Sequence, residues 1–151
     1  MTNEKQSGGL RYHRLFTRDG IDVFDQFEYD YRSSVIRNPS GEIVFEMKNV
    51  EVPKQWSQIA TDILAQKYFR KAGVPQPDGS LGRETSAKQV AHRMANCWKV
   101  WGERYGYFAS AQDAQVFYEE LVYCILNQAC VPNSPQWFNT GLYESYDIKG
   151  K

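Results

Sequence analysis

The chain of 151 residues is poor in sulfur and imidazole, with three cysteines (Cys97, Cys124, Cys130) and two histidines (His13, His92). The cysteines are odd in number and lack C-x-x-C spacing, and the histidines lie far apart. Neither a zinc site nor a disulfide framework is expected, and reduced thiols are the default reading. An excess of one charge is also missing. The formal net charge is zero, whereas nucleic acid and anionic membrane surfaces both call for a basic excess, so neither is expected as a partner. No run of about 18 apolar residues occurs, and Met1 to Gly9 are polar. That excludes a membrane span and a secretory leader from the reading, and a cytoplasmic protein is expected. GxGxxG, a Walker loop, a paired-carboxylate motif and a nucleophile–base pair are absent as well.

What is present suffices for one core, with 42% hydrophobic and 15% aromatic residues. The expected fold is mainly α with an N-terminal β-hairpin (α+β). Residues 1–20 read as a polar, flexible lead-in. Residues 21–52 read as the hairpin region: Phe27, Tyr29 and Tyr31 alternate with charged residues, Asn38-Pro39-Ser40-Gly41 is a turn, and Ile43, Phe45 and Met47 point inward. Residues 53–130 read as three helices. The first is capped by Ser57, runs to about Lys71 and buries Ile59, Ala60, Ile63, Leu64 and Phe69; a loop over 76–82 follows. The second opens with Ser86 and Gln89 at capping-box spacing and carries Val90, Met94, Cys97, Trp98, Trp101 and Tyr105 as its stripe; His92 falls off that stripe and reads as exposed or capping. The third opens at Ser110 with Asp113 and places Phe117, Leu121, Cys124, Ile125 and Gln128 on one face.

Charge is unevenly spread along this order. Residues 19–51 hold eight acids against three bases, whereas 57–105 is basic, Lys67, Arg70 and Lys71 included. The two segments could lie against each other, or the basic one could line an approach for polyphosphate.

The last region, 131–151, contains Val131-Pro132-Asn133-Ser134-Pro135-Gln136-Trp137-Phe138-Asn139-Thr140-Gly141-Leu142. Ser134 suits an N-cap, Pro135 the first helical position and Gly141 a C-terminal stop. In one reading the backbone N–H groups of Gln136 and Trp137, with the Ser134 hydroxyl, face a common point suited to phosphate. In the other, Ser134 caps its own turn while Trp137 and Phe138 plug a core.

The string from Pro132 to Leu142 resembles a segment of the adenosylcobalamin-dependent (class II) ribonucleotide reductases. The similarity extends from about Ile43 to Gly150, through Val50-Glu51-Val52-Pro53-Lys54, Trp56-Ser57-Gln58, the run from Ala60 to Pro75, Gly82-Arg83-Glu84-Thr85-Ser86, and Trp101-Gly102 with Gly106-Tyr107-Phe108. The resemblance implies a ribonucleoside-diphosphate reductase, an oxidoreductase making deoxyribonucleotides for DNA synthesis. In that family, cleavage of the cobalt–carbon bond of adenosylcobalamin yields a cysteine thiyl radical that takes the ribose 3'-hydrogen, and a cysteine pair supplies the electrons. Ser134 stands where the family has a hydroxyl holding the substrate phosphates, which makes Ser134, Gln136 and Trp137 the expected substrate contacts. No catalytic residue is carried over: Cys97 and Cys124 read as core, and Cys130 as replacing a small residue. The ten-stranded α/β barrel, its cysteines and the cobalamin site are expected downstream. The chain is thus expected to be an N-terminal fragment, inactive alone, with a ribonucleotide substrate and the downstream barrel chain as partners. The competing expectation is a non-enzymatic helical module that docks to a reductase core or another protein.

Overall fold

The computed structural model describes residues 8–150; the first seven residues of the expected lead-in lie outside the described residues. The hairpin consists of β1 (Tyr29–Arg37) and β2 (Ile43–Pro53), antiparallel and preceded by a 3-10 turn at Val23–Gln26. Phe27 is not in the strand as expected; it follows the 3-10 turn and packs its ring on Tyr123. Within the ladder Arg32 pairs with Val50 but Ser34 pairs with Met47, so β2 carries one extra residue, and Asn49 takes up the bulge at φ 58°. Side chains alternate with period two, so the extra residue switches the buried set from Met47 to Val50 and Val52. The expected inward row Ile43, Phe45, Met47 therefore holds only in part: Met47 is buried and Phe45 packs on the core, but Ile43, near the tip, is 46% exposed.

Helix α1 (Gln58–Ile63) starts where expected, with the Ser57 hydroxyl accepting the Ala60 N–H at 3.0 Å. It does not continue as an α-helix to Lys71. Over Leu64–Tyr68 it widens into a π-turn, closed by the Phe69 N–H on the Leu64 carbonyl at 2.9 Å. A π-turn adds a residue to the cycle, so the face after it is not the face before it. Leu64 and Phe69 are buried, whereas Ile59 is 72% exposed and Ile63 is exposed at its end of the helix. The expected loop over 76–82 is framed by β3 (Val74–Pro75) and β4 (Leu81–Gly82), two-residue strands paired antiparallel.

Helix α2 (Ala87–Arg104) opens with the expected capping box between Ser86 and Gln89. Val90, Met94 and Cys97 are buried, but the stripe runs out into solvent at Trp101 and Tyr105. Helix α3 (Ala111–Leu126) opens at Ser110, whose Oγ accepts the Asp113 N–H at 3.1 Å. Its inward face is turned from the expected one: Ala114, Val122, Ile125 and Leu126 are buried, and Gln128 lies exposed beyond the helix at φ 55°. α2 and α3 make the largest helix–helix contact. The core lies where Val50 and Val52 of β2, Val90 and Met94 of α2, and Ile125 and Leu126 of α3 converge. The acidic and basic segments touch there, through Ser86 Oγ donating to Glu51 at 2.6 Å and Lys88 at 3.5 Å from the same carboxylate.

Residues 10–17, read from sequence as flexible, are fastened along α3. Leu10 exchanges backbone bonds with Tyr107 and Ala109, at 2.7 and 2.9 Å, and the Tyr12 N–H donates to Asp113 at 2.8 Å. The Glu120 carboxylate accepts the N–H groups of Leu15, Phe16 and Thr17 and the Thr17 hydroxyl. At the other end, α4 (Ser134–Asn139) and α5 (Leu142–Tyr146) close the fold, separated by Gly141 at φ 82°. Among the described residues no helix is long and apolar enough to cross a membrane.

Candidate functional site

Helix α4 begins differently from the sequence reading. Its N-cap is Asn133, not Ser134, and Pro135 stands within the first helical positions. The Asn133 carbonyl accepts the Gln136 N–H at 3.0 Å and the Trp137 N–H at 3.4 Å. These two groups, expected to face a phosphate, are thus turned into the helix itself. Freed from capping, the Ser134 hydroxyl lies 3.0 Å from the hydroxyl of Tyr68, which the π-turn presents.

The two hydroxyls stand at the rim of a cleft of about 480 Å³ between the α1–π-turn segment and residues 128–137. Trp56, Leu64, Ile125 and Trp137 form its apolar walls, with Cys130 among them. The polar edges of both indoles are satisfied by backbone: Trp56 Nε1 donates to the Leu126 carbonyl at 2.7 Å and Trp137 Nε1 to the Pro132 carbonyl at 2.6 Å. Buried tryptophans that find such partners leave their apolar faces for packing. The Tyr68 ring stacks on Trp137 at 5.4 Å and tilts against Phe138 at 5.1 Å. Of the two residues expected to plug a core, Trp137 does so, while Phe138 remains 43% exposed.

What fixes this corner is a residue the sequence reading passed over. Arg93 on α2 is fully buried, as is its partner Glu84. The guanidinium donates Nε to Glu84 Oε2 at 2.9 Å and Nη2 to Oε1 at 3.2 Å. It also donates to the carbonyls of Trp137 at 2.6 Å, Thr140 at 2.9 Å and Tyr68 at 3.5 Å. Carbonyls at the end of α4 and of the π-turn, which helices leave unsatisfied, are thereby gathered on one cation. Glu84 is completed by the Arg70 N–H at 2.7 Å and the Tyr146 hydroxyl at 2.8 Å. Burial, reinforced by the Glu84 charge, raises the Tyr146 phenol well above its ordinary value, so it stays a donor. Gly141 lets the segment approach: a Cβ there would lie 1.9 Å from the Arg93 carbonyl oxygen. The one sequence signal for this hub was Arg93 beside Met94 on an otherwise apolar face, and periodicity alone cannot tell a buried arginine from one reaching to solvent.

None of the three thiols is set up as an activated nucleophile. Cys97 is buried and its thiol is pushed up to about 12 by burial, with help from Glu144. Burial also raises Cys124 and Cys130, the reverse of what an activated thiolate requires. His92 keeps one side open to solvent, with its Nδ1 2.6 Å from the Tyr118 hydroxyl; partial desolvation by its neighbours, with the Lys99 charge nearby, lowers its pKa. Both histidines lie outside the lining of the cleft, so the residues present there offer a corrinoid no imidazole ligand.

Comparison with known proteins gives the family. A family model described as class II vitamin B12-dependent ribonucleotide reductase matches residues 30–128. The vitamin B12-dependent ribonucleotide reductase of Bradyrhizobium diazoefficiens is 42% identical, over 93% of this chain and 14% of that protein. The enzyme of the same name from Agrobacterium fabrum is 40% identical over 93% of this chain and 13% of its own length, and that of Streptomyces clavuligerus is 41% identical over 91% and 14%. The chain thus spans about a seventh of the length of these relatives, and the aligned part includes the hairpin, α2 and α3 that carry the core. With the family model covering most of the folded residues, the chain belongs to the class II vitamin B12-dependent ribonucleotide reductases.

Proposed function

We propose that this chain supplies a substrate-phosphate contact to a ribonucleotide reductase, with the Ser134 hydroxyl as the contact. The observation that carries it is the Ser134–Tyr68 hydroxyl pair at 3.0 Å on the rim of an apolar cleft. A hydroxyl that caps nothing and is held in place by another hydroxyl is a preorganised donor for an oxyanion. Backbone donation by Gln136 and Trp137 adds nothing while both N–H groups remain on Asn133. Trp137 contributes as the wall on which Tyr68 stacks.

In this reading the reaction is the reduction of a ribonucleoside diphosphate to its deoxy form in the cytoplasm. Radical generation from adenosylcobalamin and the reducing cysteines belong to residues outside this chain, which alone turns nothing over. Its partner is the α/β barrel that carries them. The test is a chimera in which this chain replaces the corresponding stretch of a relative, assayed with adenosylcobalamin. The reading expects a Ser134→Ala chimera with a raised KM for ribonucleotide and an unchanged fold by circular dichroism. Equal KM for both chimeras would sink the phosphate contact and leave a docking module. The exposed apolar side chains Ile63 and Val131, which line the cleft, favour that second reading.

A further inference from the structure

Cys124, in the last turn of α3, and Cys130, in the cleft wall, meet where the helix gives way to that wall. We propose that they are a two-thiol oxidation site, closing to a disulfide that pins residues 130–134 to the end of α3. This goes beyond the Ser134 reading and does not require it.

The backbone brings the two together. Gln128, at φ 55°, turns the chain back beyond the helix, and the Cys124 carbonyl accepts the N–H groups of both Ala129, at 2.9 Å, and Cys130, at 3.2 Å. Even laid in a straight line, that bond and the covalent bonds flanking it would put the two Cα atoms about 7 Å apart, and the bend at each atom brings them inside the roughly 4.4–6.8 Å that a disulfide spans. The Cys130 thiol feels that of Cys124, whose charge adds to burial in raising it. Both side chains are half-buried, within reach of a small oxidant, whereas the third thiol, Cys97, is 1% exposed on α2.

What the bond does follows from how the wall is tied. Pro132 has no N–H to give, and among the described residues neither Val131 nor Asn133 donates to a backbone acceptor. The wall therefore hangs from α3 by the two bonds on the Cys124 carbonyl, and a covalent link at the same place makes that tether permanent.

The oxidant is a low-molecular-weight disulfide. One protein thiolate attacks it, forming a mixed disulfide and releasing one small thiol; the other protein thiolate then attacks the bonded protein sulfur and releases the second. The two protein thiols lose two electrons and two protons, and the small disulfide becomes two thiols. Burial raises both protein thiols, so the first attack is slow. The second is intramolecular between adjacent groups, so the mixed disulfide does not accumulate.

The test incubates the folded chain with oxidised glutathione, alkylates the remaining thiols and weighs the tryptic peptides. No lysine or arginine lies between Arg104 and Lys149, so Cys124 and Cys130 share one peptide and Cys97 falls on another. The proposal expects the shared peptide to lose two hydrogens and carry no glutathione, while Cys97 is alkylated. Cys124→Ser and Cys130→Ser, with folding checked by circular dichroism, should each keep glutathione on the thiol that is left. In oxidised wild type, hydrogen exchange at the Ala129 and Cys130 amides should slow about tenfold. A stable glutathione adduct on wild type overturns the proposal, as does a disulfide formed only between two chains. So do thiols that stay free in the folded chain but react in urea, and so does amide exchange that oxidation leaves unchanged.

Discussion

The two ends of this chain are fastened to the same pair of helices by opposite chemistry. At the N-terminal end a carboxylate on α3, Glu120, collects backbone N–H groups of residues 15–17. At the C-terminal end a guanidinium on α2, Arg93, collects the backbone carbonyls of Trp137 and Thr140, together with that of Tyr68 from the π-turn. Glu120 works at the surface, where water can replace what it loses. Arg93 works with no access to water at all. The same kind of clasp is therefore forgiving at one end and unforgiving at the other, and the unforgiving end is the one beside the cleft.

The largest effect that separates the ends follows from truncating the buried clasp. Arg93→Ala leaves Glu84 as an uncompensated buried charge and strips three carbonyls of their donor, a loss of about 3–5 kcal/mol by denaturant titration. Replacing both Arg93 and Glu84 by methionine removes the stranded charge and recovers part of that loss, but not all, because the carbonyls of Trp137 and Thr140 stay unpaired. Full recovery would show that the clasp is only an ion pair.

Next in size is Gly141→Ala. The left-handed conformation alone costs an alanine about 1–2 kcal/mol, and its Cβ would also meet the Arg93 carbonyl oxygen at 1.9 Å. Gly79 provides the control, since it has φ 84° with nothing within 4 Å of a built Cβ. Gly79→Ala should show the backbone cost alone, and Gly141→Ala clearly more. Equal melting temperatures for the two variants would mean that the α4–α5 segment moves off Arg93 at no cost.

The sequence made some of this arrangement legible and hid the rest for identifiable reasons. Caps were readable, because Ser57, Ser86 and Ser110 each act within three residues of themselves. The hairpin was readable as a hairpin, but its register was not, because the bulge at Asn49 depends on which residues of β2 find the core. The inward face of α1 was misjudged because a π-turn leaves no mark in a 3.6-residue period. At the candidate site, Ser134 and Trp137 were legible as a motif, while Tyr68, Arg93 and Glu84 were not. Those three act across separations of 66, 47 and 62 residues, and such pairings leave no local signal.

The exposed clasp should respond to pH more than to truncation. Burial raises the Glu120 carboxyl, but the bonds from Thr17, Phe16 and Leu15 outweigh it, and its pKa lies below the ordinary value. A carboxyl depressed in the folded state contributes its full stability above the unfolded pKa of about 4.3 and loses it as pH falls through the folded value. Protection of the amides of 15–17, relative to their intrinsic exchange at each pH, should therefore fall once pH drops below the ordinary carboxylate range, and Glu120→Gln should show a similar loss of protection already at pH 7. Because the site is partly solvated, the global cost of that variant is about 1 kcal/mol or less. Unchanged protection in acid would mean that the strap is held by its other contacts, Tyr12 on Asp113 first among them.

The smallest effect on stability is the most informative about function. The Ser134–Tyr68 bond is exposed, so water replaces it when either hydroxyl is removed, and Ser134→Ala or Tyr68→Phe should each shift stability by no more than about 0.5 kcal/mol. The Tyr68 ring keeps its packing on Trp137 and Phe138 in the phenylalanine variant, so the cleft keeps its shape as well. A residue that costs the fold almost nothing to remove is not there for the fold. If both variants melt with wild type while the chimera loses affinity for ribonucleotide, the hydroxyl pair is retained for the ligand. If either variant unfolds by several degrees instead, the pair belongs with Arg93 and Glu84 as part of what holds α4 down.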